Sequence, residues 1–321
     1  MNSMMTTSKL IMLRLFNITL GRIPFFSRLL KKILIRILIK KQKNKRYVAS
    51  SRFFDWADLD DFTNKKARIV ILTRNEPFYI PLYLSDILSK KHQNILKVYI
   101  DSKPSPHLSK IQLLRLCGML NFVYLSFKYL FYKTCGLFNL RRNSKVFYSI
   151  ISALKHYNID FQSGFDVKSD NFKRELLDLR PDVLLSVANS QIIPSDILEI
   201  KGLVCLNTHG ALLPEYRGIL TAFWMILNEE QKGGVTIHKI TEKIDGGTIL
   251  NQAEFDITET DTIVSVYNKV AKYGSKIILK TIEQFESDEL TEKENNYTRT
   301  IYSVPDSHHI NMFLKKGRKF V

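Results

Sequence analysis

The chain changes its hydrophobic rhythm three times, and each rhythm predicts a different kind of structure. Residues 29–40, LLKKILIRILIK, place Lys32, Arg36 and Lys40 at four-residue steps with Lys31 beside them. Leu30, Ile33, Leu34, Ile37 and Leu38 fill much of the remaining circumference, so the segment predicts an amphipathic helix. LIMLRLFNITL upstream reads the same way, and Gly21 and Pro24 mark the break between the two. From Arg68 the rhythm shifts to short apolar runs separated by helical stretches. RIVILT (68–73), ILKVYI (95–100), DVLLSVA (182–188) and GLVCLN (202–207) predict buried strands, and GVTIHKI (234–240) and residues 248–255 predict two more. Residues 81–90, 220–230 and 260–288 predict helices, the last with a capping signal at Thr260 and Asp261. Strands alternating with helices predict an α/β domain with a largely parallel sheet. The third rhythm is residues 111–140, rich in aromatics from Phe122 to Phe138, with only Arg115, Lys128 and Lys133 charged. It is too apolar for a solvated linker. A helical hairpin packed on the core and a surface facing a membrane or a substrate both fit it.

Composition adds a division of charge. The 321 residues carry 48 Lys+Arg and 31 Asp+Glu, a net charge of +17. Residues 1–54 contain no acid, and 13 of the basic side chains fall before residue 53. A nearly neutral body therefore follows a basic leader, which removes the simplest charge argument for a nucleic-acid partner. A basic, acid-free amphipathic segment suits an anionic membrane surface, and residues 8–46 are the candidate contact. Docking on the protein itself and organelle targeting are the other readings of the leader. At 45% hydrophobic and 25% charged the body is an ordinary globular chain. Cys117, Cys135 and Cys205 form no CxxC pair, which predicts a reducing compartment without a disulfide framework or a metal site.

The chemistry concentrates between Pro181 and Gln252. Asn207-Thr208-His209 emerges from the end of an apolar strand, the place where open α/β sheets bind ligands. An amide and an imidazole two residues apart on an extended segment point the same way, and can offer two donors to one developing oxyanion. Alone, an N-x-H also fits a structural histidine. Lys243–Thr248, KIDGGT, sits between two strands and can place the Asp245 carboxylate deep in a cleft, although DGG by itself is a common turn.

The combination is more specific. N-x-H, then LLP-x-Y-R-G, then GVTIH-x(6)-DGG-x-I-L-x-Q, in this order, resembles the folate-dependent formyltransferase family, over roughly residues 67–288. RIVIL and EPFYIP near Arg68 and Glu76 are similar to that family's first strand and turn. The resemblance implies a Rossmann-like, largely parallel α/β domain at 67–288 with a helical insertion at 107–145. A leader at 1–54 would precede it, and a short tail at 289–321 would follow. It implies transfer of a formyl group from 10-formyltetrahydrofolate to an amine, without a metal. Asn207, His209 and Asp245 would be catalytic, with Asp245 holding His209 charged. The folate would lie against Ser190, Gln191, Ile192 and Ile193 on one side, and His238, Thr241 and Ile244 on the other. Ala211 and Thr248 depart from the Ser and the second carboxylate that many members carry.

For the acceptor, LTRNE (72–76) lacks the glycine-rich phosphate loop of glycinamide ribonucleotide enzymes. Residues 289–321 are too few for the C-terminal barrel of transfer-RNA enzymes. The expectation is therefore an amino sugar on a nucleotide, as in surface-polysaccharide synthesis, formylated in the cytoplasm or at the inner face of the membrane. A homodimer is left open. A transfer-RNA enzyme without its usual C-terminal domain and a non-catalytic, membrane-associated relative are the alternatives.

Overall fold

The computed structural model describes residues 66–101, 109–296 and 301–321, so the leader and the membrane contact expected at 8–46 lie outside the described residues. The chain alternates as the sequence predicts. β1 (Ile69–Arg74) leads through α1 (Ile80–Tyr83) and α2 (Ser85–Lys91) to β2 (Ile95–Asp101). The insertion follows as α3 (Lys110–Cys117) and α4 (Met119–Leu137), and α5 (Ile150–Tyr157) returns the chain to β3 (Phe161–Ser163). Then come α6 (Asp170–Leu179), β4 (Val183–Val187), α7 (Ser195–Leu198), β5 (Val204–His209) and α8 (Thr221–Leu227). A hairpin of β6 (Lys232–Lys239) and β7 (Ile249–Asp256) precedes α9 (Ile263–Glu286) and α10 (Ser307–Lys315).

The seven strands form one sheet in the order β3-β2-β1-β4-β5-β6-β7. The first five are parallel, and β6 and β7 run antiparallel to their neighbours. Such a sheet is buried on both faces, which is why its central strands read as continuous apolar runs. The alternation along each strand divides the core. Ile69 and Ile71 of β1, with Val183 and Leu185 of β4, face the layer that holds α9. Val70, Leu72 and Leu184 face Phe172, Leu176 and Ile197 of α6 and α7.

Two boundaries differ from the sequence reading. β5 runs on to His209 rather than ending at Asn207, because Asn207, Thr208 and His209 pair with His238, Ile237 and Thr236 of β6. The cap of α9 is Thr262, whose side chain accepts from Ser265 N at 3.1 Å while Ser265 Oγ accepts from Thr262 N at 2.8 Å. Asp261 supports that turn from outside, accepting from Thr258 N at 2.8 Å and pairing with Lys269 at 2.5 Å.

The insertion is held at its ends. Ser109 caps α3 through Gln112, and Leu116, Cys117, Cys135 and Gly136 are buried. Between them the outer side of α4 faces solvent, so a hairpin packed along its length on the core is not what forms. The last stretch is part of the body. Ile310 and Phe313 of α10 are fully buried, and Phe313 stacks on Phe223 of α8 with ring centroids 5.0 Å apart.

Candidate functional site

A cavity of about 660 Å³ opens at the carboxyl ends of β1, β4 and β5. Its centre is built by β5. Asn207 and His209 leave the strand on the same side as Cys205, as the two-residue period requires, and both line the cavity. His238 faces Asn207 across the antiparallel pair, close enough for Asn207 Nδ2 to reach its Nε2 at 3.2 Å. The carbonyl of Lys239 can only accept, so the 2.8 Å contact puts the His238 ring proton on Nδ1 and leaves Nε2 to accept from Asn207. His238 thereby orients the Asn207 amide, and the second N–H of that amide remains for a ligand.

Asp245 arrives from the β6–β7 loop. It takes a left-handed backbone conformation, φ 47°, an arrangement that a non-glycine residue holds only when its surroundings fix it. The loop is clasped from two sides. Arg217 Nε donates to the Ile244 carbonyl at 2.9 Å, and Asn295 Nδ2 donates to the carbonyls of Asp245 and Gly247 at 2.9 and 3.0 Å. Gly247 must be glycine, because a Cβ there would lie 1.9 Å from the Lys239 carbonyl oxygen. Gly218 N donates to Asp245 Oδ2 at 2.8 Å, and a Cβ on Gly218 would lie 2.1 Å from the Tyr302 carbonyl oxygen. The Tyr-Arg-Gly of the sequence motif is therefore the clamp that sets the carboxylate.

The carboxylate sits between two imidazoles, with Oδ2 3.5 Å from His209 Nδ1 and Oδ1 3.5 Å from His238 Nε2. Burial alone would raise the Asp245 carboxyl, but His209 and His238, when either ring carries a second proton, and the Gly218 amide draw it below the usual range. Burial, aided by His238 and Arg217, pushes His209 down despite Asp245. The sequence expectation that Asp245 keeps His209 charged is thus reversed by enclosure: the ring is 5% exposed. His209 Nε2 donates to the Tyr216 carbonyl at 2.8 Å, so its proton is committed there and Nδ1 faces Asp245 without one.

The residues expected to hold folate line one end of the same cavity: Ser190, Gln191, Ile192 and Ile193 on the β4 side, Thr241 and Ile244 on the loop side. Ala188, with φ 54°, turns the chain out of β4 into this segment. Ile192 and Ile244 present apolar surface, being 71% and 50% exposed. The Gln191 side chain is tied to Val167 N and the Phe165 carbonyl, so it shapes the loop. Ser190 donates to Asp101. An apolar slot edged by backbone amides and carbonyls fits a flat, heteroatom-rimmed ring such as a pterin. His238 lines the same cavity and also contacts Asn207 and Asp245. Among the described residues no group of three or more His, Cys, Asp or Glu is placed to hold a metal ion.

A second stretch of the wall escaped the sequence reading: Arg74, Glu76, Tyr79, Tyr83 and Tyr267 line the same cavity, with Arg74 near the Asp101 that Ser190 contacts. Glu76 accepts from the amides of Phe78 and Tyr79 at 2.8 and 2.7 Å, and burial raises its carboxyl. Burial lowers the Arg74 guanidinium, opposed by Asp101 and Glu76. The signal was available: Arg74-x-Glu76 leaves β1 as Asn207-x-His209 leaves β5, polar residues two apart at a strand's carboxyl end.

Comparison with known proteins finds formyltransferases. Residues 135–282 match the family described as Formyl transferase. Methionyl-tRNA formyltransferase of Sulfurihydrogenibium sp. is 31% identical over 153 residues, 48% of this chain and 49% of that protein. The Geobacillus sp. protein of the same name is 36% identical over 129 residues, 40% of this chain and 41% of that one. The chain thus spans about half or less of the length of the curated relatives it matches. The crystal structure of an N-formyltransferase from Helicobacter canadensis, in complex with folinic acid and dTDP-3-aminofucose, superposes with a TM-score of 0.52 at 20% identity. That match covers 79% of this chain and 81% of the other. The matched stretch contains every clamp and polar group around Asp245 except Asn295, and over that stretch the chain is similar to the Formyl transferase family.

Proposed function

We propose that the protein transfers a formyl group from 10-formyltetrahydrofolate to a primary amine carried on a sugar nucleotide. The observation that carries this reading is the convergence of Asn207, His209 and Asp245, with His238 behind them, at the middle of one cavity. The apolar folate slot and a second wall that includes Arg74, Tyr79 and Tyr267 line the same cavity. The donor supplies an electrophilic formyl carbon. As the amine bonds to that carbon, its oxygen becomes an oxyanion, and the free N–H of Asn207 donates to it. The attacking nitrogen must lose a proton. Asp245 is an enclosed carboxylate, and the bare Nδ1 of His209 lies 3.5 Å behind it, so the pair takes that proton. His209 then becomes cationic beside the oxyanion, which stabilises it further. When the carbon–nitrogen bond to the folate breaks, the same pair returns the proton to the departing nitrogen. The products are the N-formylated amine and tetrahydrofolate, and no atom is unaccounted for.

The sugar-nucleotide acceptor rests on the second wall. Tyr79 and Tyr267, with ring centroids 5.5 Å apart, offer flat faces to a sugar, and Arg74 offers a cation near anionic groups. The Helicobacter canadensis protein was solved with such a ligand. A second reading, initiator transfer RNA as acceptor, is favoured by the names of the curated relatives. Mass analysis after incubation with 10-formyltetrahydrofolate, amino-sugar nucleotides and charged transfer RNA separates the two. Formyl addition to an amino sugar is expected, and addition to the transfer RNA alone would replace the first reading with the second. We include in this proposal a position at the inner face of the cytoplasmic membrane, supported by the acid-free basic residues 8–46. Deleting residues 1–45 should reduce binding to anionic vesicles, and undiminished binding would remove that contact.

A further inference from the structure

We propose that the outer face of α4 is a docking surface for an anionic lipid bilayer, on which the helix lies at the level of the headgroups. This inference rests on the insertion alone and is independent of the formyl-transfer reading. Soluble domains turn the apolar stripe of a helix inward, and α4 does the reverse. Leu120, Phe127, Leu130 and Leu137 are 86%, 69%, 62% and 81% exposed. Val123, Tyr124 and Phe131 fill the three- and four-residue steps between them, and all are exposed. Ile111 of α3 adds to the same insertion at 79% exposure. A contiguous apolar stripe along a helix of 19 residues, about 28 Å at 1.5 Å per residue, is larger than monomeric surfaces ordinarily leave open.

Charge decides the occupant. Residues 102–159 contain no Asp or Glu and nine Lys or Arg, so the insertion forms a second acid-free basic segment. Lys128 and Lys133 lie over rings of the helix and its neighbours, Lys128 between Tyr124, Tyr132 and Phe78 at 5.7 to 5.8 Å, and Lys133 over Tyr129 at 5.4 Å. Aromatic rings and lysines around an apolar stripe are the composition of helices that lie in a bilayer interface. A second copy would set two such faces against each other across a two-fold axis and bring like charges together. The leader, residues 1–54, is acid-free and basic as well, so as a cover it meets the same repulsion. An anionic bilayer complements the charge and the apolar stripe together. The helix would lie on the membrane, since no helix among the described residues is long and apolar enough to cross one.

The test uses the full-length protein and vesicles of phosphatidylcholine, with and without phosphatidylglycerol. Hydrogen exchange is followed by mass spectrometry across residues 119–137. Exchange is expected to slow there with the anionic vesicles and not with the neutral ones. The pair Phe127→Glu and Leu130→Glu should abolish that slowing, with an unchanged melting temperature. Three results overturn the proposal: vesicle binding without slowed exchange in 119–137, protection of that helix before lipid is added, or undiminished slowing of exchange in the double variant. Protection without lipid would assign the face to the leader, or, if it grows with protein concentration, to a second copy. The exchange measurement needs no variant, and none of these readouts depends on turnover.

Discussion

The end of β5 and the outer face of α4 invert the usual placement of side chains in opposite ways. β5 carries an amide, a hydroxyl and an imidazole into the interior, where His209 donates from Nε2 to the Tyr216 carbonyl and sets Nδ1 3.5 Å from Asp245. α4 carries leucines and phenylalanines to the outside, where no described residue covers them. Buried polar groups are costly unless paired, so the first region needs a surrounding frame. Arg217, Gly218 and Asn295 supply it. Exposed apolar groups cost the folded state little but mark a surface for something else. The contrast teaches that conformational constraint is concentrated around Asp245, while among the described residues the insertion reaches the cavity wall only through Phe78 and its neighbours.

The contrast predicts a graded series of effects. Asn207→Ala and Asp245→Asn should each lower the rate of formyl transfer by about 10²–10³ with little change in melting temperature. Steady-state kinetics beside a thermal melt checks this, and a loss explained by unfolding would break the contrast. The same frame fixes a pH dependence. Because burial lowers the His209 pKa from 6.5, the enzyme's own acid limb should fall below pH 6.5, as protonation removes the acceptor on Nδ1. A rate that rises as pH falls through that range would contradict the proton route. Gly247→Ala should cost about 1–3 kcal/mol in urea unfolding, since its Cβ cannot coexist with the Lys239 carbonyl.

Outside the site, Asp261 gives a smaller effect with a defined window. Burial alone would raise its carboxyl, but Lys269, the Thr258 amide and Ser265 outweigh that and bring it from 3.8 to about 2. A depressed folded-state pKa stabilises above the unfolded value and is lost as pH falls through the folded one. Wild type should therefore exceed Asp261→Asn by about 1 kcal/mol above pH 4, and the two should converge as pH falls toward 2. Equal unfolding midpoints at pH 7 would remove the stabilising role of Asp261 from this account. The smallest effect belongs to α4: Phe127→Ser should change stability by less than about 0.5 kcal/mol. A larger loss would mean that the face is already covered.

The sheet was legible because its strands are buried on both faces and read as unbroken apolar runs, from Ile69 to Leu72 and from Val183 to Val187. β3 was not, because a three-residue edge strand that is only partly buried has too little pattern to announce itself. Asn207, His209 and Asp245 were legible through motif order, and the structure brings them to one cavity. The protonation of His209 was not, because it depends on enclosure by residues far apart in the chain. Asn295 was hidden for the same reason: it lies 50 residues from the carbonyl it binds, in a stretch without periodicity. The apolar character of residues 111–140 was plain, but which way the stripe faced was set by tertiary packing.

The most direct test of the central claim is single-turnover transfer from isotopically labelled 10-formyltetrahydrofolate to a panel of amino-sugar nucleotides, run in parallel on the wild type and Asn207→Ala. The account predicts label on the amine of at least one acceptor with wild type, and a rate lower by about 10²–10³ with the variant. No label on any acceptor, or equal rates for the two proteins, would contradict it.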